Sequence, residues 1–600
     1  MTTTIPKDLR WWLSDKPHET VTQAARFIEG KDSLRKEDLL RAIRLYGNTE
    51  YGSFDGADLF RSAPTDRMTL NIVKSGVDTI VSKIGKNRPK PTFVTSGGNY
   101  QLRRRAQLLE KFVETKFYTK GVYKLGGKFV QDAALLGTGC LKVFKKDGDV
   151  AVERIFVGEL VIDQLEAIYG EPRQIFQRKF VSRDVLVGLY PDCEAEILAA
   201  PQASSVRGAM GWDSSADQVE VWEAWHLPSS KESDDGRHVI VIENALLFDE
   251  EWEKDYFPFV FLRWSNRIRG FWGIGIADEL LGIQVELNRL LQKVQKTFHL
   301  MSVPRVFVEA GSKVNKAYIN NQIGTIIPYV GQPPIINAPQ SVHPEIFAHI
   351  DRLWQRGFEI IGISQLQASG QKPAGLDSAV AIREFSDVGT ERFSDFGMTY
   401  EEAFMEITRQ MVDLGRELAE EDPSYGGIAQ KDRYTIATVK WKDIDLDRDS
   451  YVLKVFPTSS LPSTPAGRLA MVQDLMNAQL IDPQTAKRLL DFPDLESELA
   501  LDRAAADDID RLIENMLDDG TYAPPEPFQD HLLALKKVQG AYLKARTDSV
   551  PEDRLQLLRE YMSATFLQLQ KAQASQAPQG AAGASGQPAT APTGQEGIPQ

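Results

Sequence analysis

Two amphipathic helices are predicted in the middle of the chain, on either side of a segment with β-strand character. From Ile276 to Leu300, apolar residues recur every three or four positions and form one helical stripe. A helix of that length spans roughly 37 Å. A second stripe runs from Ile346 to Ile361, and Pro344 stands where a first helical turn tolerates proline. The pattern therefore predicts a chain that runs out along one helix, turns, and returns along the other.

The segments between and after these helices show different patterns. Short strands are predicted in Arg305–Gly311 and Gly324–Val330, where β-branched and aromatic residues lie between glycines and prolines. Gln367–Leu376 has the composition of a loop, and Asp377 or Ser378 can cap the next helix. That helix is expected to be very long and kinked at its glycines.

The first part of the chain mixes helix and strand patterns, which predicts an α+β fold. Residues 1–65 favour helix, with Trp11 and Trp12 as packing residues. Further helices are predicted over Leu70–Ile84 and Leu108–Gly139. Strand patterns cover Cys140–Val161, Gln174–Val181, Val219–Trp225, His238–Leu247 and Pro258–Trp264, and they return at Tyr434–Trp441 and Tyr451–Phe456.

Helical patterning dominates again after Thr464. The predicted helices are Arg468–Leu480, Asp482–Asp491, Leu495–Asp518, Phe528–Ala545 and Pro551–Ala572. From Gln573 onward the chain is rich in Gln, Ala, Gly and Pro and has no apolar period. This last segment is predicted to be disordered.

Composition and charge narrow the class of protein. The formal net charge is −14 over 600 residues, which disfavours tight, sequence-neutral gripping of nucleic acid but not a conduit that lets a polyanion pass. Two cysteines, Cys140 and Cys193, suit a reducing compartment, and the sequence leaves their pairing open. The N-terminus lacks a secretory pattern and no run of 18 apolar residues occurs, so neither secretion nor a membrane span is expected.

Motifs that would indicate catalysis are incomplete. Gly273 and Gly275 follow a predicted strand like a dinucleotide turn, but Asp278 stands where the third glycine is needed. Asp443–Asp449 opens like a calcium loop but lacks its glycine and glutamate, and is better interpreted as a solvated strand edge. The sequence contains no P-loop, no H-E-x-x-H pair and no G-x-S-x-G elbow. We expect no catalytic residues, no metal site and no cofactor.

Several segments, in this order, resemble the portal proteins of tailed bacteriophages, the ring-shaped head-to-tail connectors. They are LNIVKSGVDTIVSKIGKNRPKPTF from Leu70, ALLGTGCLKVF from Ala134, FVGELVID from Phe156, GIGIADELLGIQVELNRLLQ from Gly273 and VFPTSSLPSTPAGRLAMVQDLM from Val455. The resemblance covers roughly residues 65–495, and its specificity lies in the order and spacing of the segments. It implies a portal fold with these parts: an N-terminal wing (1–265), stem helix 1 (266–300), a small β-containing clip (301–343), stem helix 2 (344–365), a tunnel loop (366–377), a long kinked helix (378–420), wing strands (421–463), a helical crown (464–572) and a disordered tail (573–600).

The resemblance also implies a function and partners. A portal is a structural protein of the virion, not an enzyme, that is assembled in the host bacterial cytoplasm and occupies one capsid vertex. It forms a ring of twelve subunits, whose total charge here would be about −170, twelve times −14. Viral double-stranded DNA passes through the ring, driven by a large terminase. Head completion and tail adaptor proteins, the major capsid protein and scaffolding proteins are the other expected partners.

The implied site residues fall into three groups. The tunnel loop would contact DNA through Gln367, Ser369, Gly370, Gln371, Lys372, Gly375 and Asp377, and the alternative is an ordinary mobile turn. The clip would meet terminase and adaptor through Arg305, Lys313, Lys316, Tyr318 and Asn320. On stem helix 1 the candidates are Arg289, Lys293 and Lys296, which would face either the channel or the neighbouring subunit.

Two other classes of protein stay open on sequence alone. One is another ring-forming head–tail protein such as an adaptor, which would lack paired stem helices around a clip. The other is an enzyme whose site is formed by residues distant in sequence, which a deep pocket with shifted ionisable groups would reveal.

Overall fold

The computed structural model describes residues 9–47, 70–95, 100–202, 216–302, 305–307, 335–337, 343–363, 393–432, 435–444, 451–456, 469, 472–473, 475–478, 480, 486, 504–506, 508–547 and 550–576. These residues belong to two units. The first lies within Met1–Phe93, Gln107–Asp445 and Leu453–Thr458, and the second within Val94–Ala106, Leu446–Val452 and Ser459–Gln600. The chain contains both extensive helix and several sheets, so the predicted α+β class is confirmed.

A five-stranded antiparallel sheet forms one layer of the first unit. Its strands, in spatial order, are β4 (Leu160–Val161), β5 (Gln174–Ser182), β6 (Gln218–His226), β7 (Arg237–Ile242) and β8 (Ala245–Glu251). One face packs against helix α1 (Pro17–Lys31), and the fully buried Trp11 lies between them. The strands predicted for this region are confirmed, except that His238–Leu247 is two strands with a turn between them.

The first unit also contains a three-stranded antiparallel sheet. Its strands, in spatial order, are β3 (Asp149–Ile155), β2 (Thr138–Lys146) and β9 (Phe259–Arg263). Helix α5 (Val122–Leu136) packs on it. The helix predicted over Leu108–Gly139 is confirmed for most of this range, but it is divided into two helices. The chain there forms α4 (Tyr100–Thr119) and α5, because Gly121 (φ 65°) and Gly137 (φ 84°) adopt the left-handed conformation that favours glycine.

The helical layer of this unit consists of α2 (Ser33–Gly47), α3 (Ile72–Ile84), α8 (Ile276–Ser302) and α9 (Pro344–Ile360). The shorter helices α6 (Arg183–Leu189) and α7 (Glu194–Ala199) lie beside the larger sheet. A further long helix, α10 (Ser394–Glu421), packs on β9. The helices predicted at Leu70–Ile84 and Ile276–Leu300 are confirmed, although α8 begins ten residues after position 266, where the predicted stem segment starts.

The remaining elements are short strands and one helical turn: β1 (Lys90–Thr95), β10 (Arg305–Phe307), β11 (Ile335–Asn337), β12 (Gly426–Asp432), β13 (Thr435–Lys440), α11 (Trp441–Ile444) and β14 (Tyr451–Phe456). Of the strand edge predicted over Asp443–Asp449, the first two residues lie in α11 instead, and residues 445–449 lie outside the described ones. Trp441 is buried against Phe112, with ring centroids 5.2 Å apart, and against Gly415 of α10. Burial of this indole accounts for the helical turn directly after β13.

The second unit contains a helical hairpin of α12 (His531–Thr547) and α13 (Glu552–Gln576). Val538, Leu558 and Tyr561 are fully buried in its core. The predicted helices Phe528–Ala545 and Pro551–Ala572 are confirmed. The helix continues to Gln576, so the first residues of the predicted disordered tail are helical, and residues 577–600 lie outside the described ones.

Candidate functional site

The start of α8 is fixed by backbone contact with the end of α5. A Cβ atom on Gly273 would lie 2.1 Å from the carbonyl oxygen of Gly137, and one on Gly275 would lie 2.3 Å from that of Leu135. Only glycine fits such contacts. The Gly273 amide also donates to Thr138 Oγ1 at 2.9 Å. The Gly-x-Gly pattern therefore serves close packing at the base of the helix.

Asp278 occupies the first turn of α8. Its Oδ2 accepts a hydrogen bond from the Gly275 amide at 3.3 Å. Burial raises the pKa of this carboxyl group. An acidic side chain therefore already occupies the helix start, which disfavours the pyrophosphate that a dinucleotide turn would bind there.

A buried glutamine joins the middle of α8 to the start of α3. Gln284 is 2% exposed; its Oε1 accepts from the Ile72 amide at 2.9 Å. Its Nε2 donates to the Leu70 carbonyl at 2.7 Å and to Asn288 Oδ1 at 3.0 Å. The first free amide of α3 is thus satisfied by a side chain from another helix.

Asn71 completes this junction. Its Oδ1 accepts from the Lys74 amide at 2.8 Å, which caps α3, and its Nδ2 donates to the Leu45 and Tyr46 carbonyls at the end of α2. The end of α2, the start of α3 and the middle of α8 are therefore held together by two amide side chains. No local sequence pattern indicates this role of Gln284, because Ile72 and Leu70 lie more than 200 positions away from it.

Helices α8 and α9 form an antiparallel pair. Phe298, near the end of α8, lies 6.2 Å from Phe347, near the start of α9, measured between ring centroids. Ile283, early in α8, lies beside Gly357, late in α9. Beyond the helix ends, β10 and β11 pair antiparallel with the register Arg305↔Asn337, Val306↔Ile336 and Phe307↔Ile335. The two helices thus lead into a small sheet.

Three cations lie along the outer face of α8. Arg289, Lys293 and Lys296 are exposed and follow one another at helical spacing, so they share one face. The opposite face packs inward through the buried residues Leu280, Leu287, Leu291 and Val294. The structure therefore brings these three predicted site residues together on the surface of one subunit.

The distal end of the helix pair exposes apolar side chains. Phe298 is 49% exposed, Phe347 41% and Ile346 36%. Neighbouring exposed apolar residues of this size are typical of interaction surfaces.

A buried ionic chain, which no sequence pattern indicated, joins the two sheets. Lys142 Nζ on β2 lies 2.7 Å from Glu223 Oε2 on β6. Glu223 Oε1 lies 3.1 Å from His238 Nε2, and Glu250 Oε1 lies 2.6 Å from His238 Nδ1. Both ring nitrogens of His238 therefore face carboxylate oxygens, which is the arrangement of a doubly protonated imidazolium.

The shifted pKa values of His238 and Glu223 agree with the geometry of this ionic chain. Burial alone would lower the pKa of His238, but hydrogen bonds to Glu223 and Glu250 outweigh burial and raise it. Burial would raise the pKa of Glu223, yet Lys142 and His238 lower it to about 2. Each member of this chain has an oppositely charged partner within 3.1 Å, so we assign it a structural role between the sheets.

Both cysteines are free. Cys140 is buried in β2 and Cys193 is partly buried. Burial raises the pKa of each thiol. The structure therefore answers the question that the sequence left open, since the two do not form a disulfide.

The other predicted site residues lie outside the described part of the chain. These are the tunnel-loop residues Gln367, Ser369, Gly370, Gln371, Lys372, Gly375 and Asp377, and the clip residues Lys313, Lys316, Tyr318 and Asn320. Arg305 is placed by its backbone in β10. The strand predicted at Gly324–Val330 also falls outside, and the described partner of β10 is Ile335–Asn337.

No protein-family model matches the sequence, and no curated protein matches it. Among the described helices, none is long and apolar enough to cross a membrane. The described His, Cys, Asp and Glu side chains include no group of three or more that could hold a metal ion.

Proposed function

We propose that this chain is a subunit of a phage portal, a ring at one capsid vertex through which a terminase packages genomic DNA. The ring then retains the DNA, releases it through the tail, and carries the head completion and tail proteins. The observation that carries the proposal is the antiparallel pair α8 and α9, which is anchored in an α+β region and leads into the β10–β11 sheet. This arrangement supports a stem between a wing and a clip.

The anchoring suits an element that must resist force along its axis. The glycine contacts fix the base of α8, and Gln284 ties its middle to α3. The distal end instead exposes Phe298 and Phe347. Neighbouring subunits around a ring would cover these residues, because a cyclic arrangement brings the same helix pair side by side.

The charge distribution suits passage of DNA without tight binding. Arg289, Lys293 and Lys296 supply three exposed cations per subunit, while the whole chain carries a net charge of −14. Phosphate contacts made by such cations are weak singly and sensitive to salt. The tunnel loop with Lys372 would be a second contact with DNA, and this assignment rests on the resemblance alone.

A packaging experiment tests this function. In the parent virus, a stop codon placed early in this reading frame should yield heads without DNase-resistant DNA, and supplying the chain from a plasmid should restore packaging. Full heads produced without the chain would overturn the proposal. Heads that package DNA but fail to attach tails would favour an adaptor instead.

A further inference from the structure

A large cleft in the first unit is separate from the stem helices. It lies between β9, the loop after β6, the segment after β8, and α10, with a volume of about 1200 Å³. Sites for small organic ligands usually enclose about 300–1,000 Å³. The cleft is therefore large enough for a segment of polypeptide.

The lining of the cleft is strongly acidic. It contains seven carboxylates and three cations. Asp255 and Glu406 pair with Arg409. The other five have no Lys or Arg partner within 4.0 Å among the described residues, and they are Glu171, Asp234, Glu251, Glu253 and Glu402.

The three lining cations do not neutralise these carboxylates. Arg173 donates to the carbonyls of Pro228 and Ser229. Arg263 donates to the Phe271 carbonyl at 2.7 Å and stacks on the ring of the same residue. The third cation, Lys231, is exposed on the loop after β6.

A buried acceptor without a donor also lines the cleft. Gln410 is 1% exposed, and its Nε2 donates to the Phe257 carbonyl at 3.1 Å and to Glu406 Oε1 at 3.0 Å. Its Oε1 has no hydrogen-bond partner among the described residues. Buried acceptors are nearly always paired, so this atom indicates a donor that an occupant would supply.

We propose that the cleft binds a lysine- or arginine-bearing segment of a partner protein. The cationic groups would pair with the free carboxylates, and an N–H of the segment would donate to Gln410 Oε1. The aliphatic stems would lie over Trp252 and Phe257, which also line the cleft. Charge complementarity selects this occupant over an anionic or purely apolar one. The inference does not depend on the portal function.

Fluorescence anisotropy of the full chain with a short labelled peptide of alternating lysine and leucine tests the proposal. The double variant Glu253→Gln/Glu402→Gln should weaken binding by about tenfold. Glu194→Gln/Glu196→Gln is the matched control, since both residues are exposed on α7 away from the cleft. The control should bind like the unmodified chain, and a peptide with glutamate in place of lysine should not bind.

Three results would overturn the proposal. Equal weakening by both double variants would mean non-specific attraction to an acidic protein. Undiminished binding by the cleft variant would place the peptide elsewhere. Binding to the monomer but not to the assembled protein would mean that a second copy of this chain covers the cleft. Unchanged far-ultraviolet circular dichroism of both variants would confirm that these results do not arise from unfolding.

Discussion

Replacing Gln284 with leucine should detach the middle of α8 from the start of α3. Leucine has a similar volume, so the substitution removes the amide chemistry while it keeps the space filled. The Ile72 amide loses its acceptor and the Leu70 carbonyl loses its donor. The contact with Asn288 is lost as well.

The size of the expected destabilisation follows from the burial of the backbone groups that lose their hydrogen-bond partner. Ile72 is fully buried and Gln284 is 2% exposed, so water cannot replace the lost acceptor. An unsatisfied buried donor costs about 1–3 kcal/mol, and a further lost hydrogen bond costs about 1 kcal/mol. We expect a local destabilisation of about 2–4 kcal/mol.

Hydrogen exchange followed by mass spectrometry measures this effect without requiring reversible unfolding of the whole chain. Amides at the start of α3 and in the middle of α8 should exchange about 30-fold faster or more, which corresponds to at least about 2 kcal/mol. Gln292→Leu on the same helix is the control; this half-buried residue makes no hydrogen bond among the described residues. Equal exchange in the two variants would refute the assigned role of Gln284.

Three further predictions concern the base of α8, the exposed cations of α8 and the buried His238. Gly275→Ala should lower the melting temperature by several degrees, because the added Cβ would lie 2.3 Å from a carbonyl oxygen. A Cβ added at Gly282 would meet no atom within 4 Å, so Gly282→Ala should raise the free energy of unfolding by up to about 1 kcal/mol. Lys293→Glu/Lys296→Glu should reduce the DNase-resistant DNA per particle severalfold and leave the mass of the assembled ring unchanged. His238→Gln should lower the melting temperature most near pH 6 and progressively less toward pH 9. Folding raises the pKa of His238. The contribution of this residue to the free energy of unfolding is therefore fully present below the pKa of the unfolded chain, and it is lost as the pH rises through the pKa of the folded chain.

Each of these predictions has a control and a contrary result. For the cations of α8 the control is Lys124→Glu/Lys128→Glu, an equal charge reversal on the exposed face of α5. An equal packaging defect in this control would mean that charge anywhere on the chain matters. For His238 the control is the exposed His349→Gln. A melting difference for His238→Gln that stays constant across pH would show that the imidazole acts by shape alone. For the glycines, equal tolerance of alanine at both positions would remove the close-packing role of Gly275.

The sequence predicted most strands and helices of the first unit because their apolar residues repeat with the period of the element. The strands at Gln174–Val181 and Val219–Trp225 and the helix from Ile276 all follow this rule. The points where one helix ends and the next begins were harder to predict. The division between α4 and α5 depends on Gly121 in a left-handed conformation, and a single glycine within a helical pattern does not reveal its dihedral angles.

The contacts that position the candidate site could not be predicted from the sequence. Gln284 and Asn71 act on backbone groups that only the fold brings near, and Lys142, Glu223 and His238 meet across two sheets. Local patterns record which face of an element is apolar, but they do not record which element it meets. The spacing of Arg289, Lys293 and Lys296 on one helical face, by contrast, was readable from the sequence, because helical periodicity alone determines it.

Native mass spectrometry of the purified protein, with electron microscopy of the same sample, would decide whether the chain assembles into a portal ring. We expect a closed ring with a central channel and a mass of about 806 kDa, which is twelve times 67.2 kDa. In the images, α8 and α9 should pack side by side around the channel and bury Phe298 and Phe347 between neighbouring subunits. A protein that stays a monomer or dimer under capsid-assembly conditions, or a ring without a through-channel, would refute the proposed portal function.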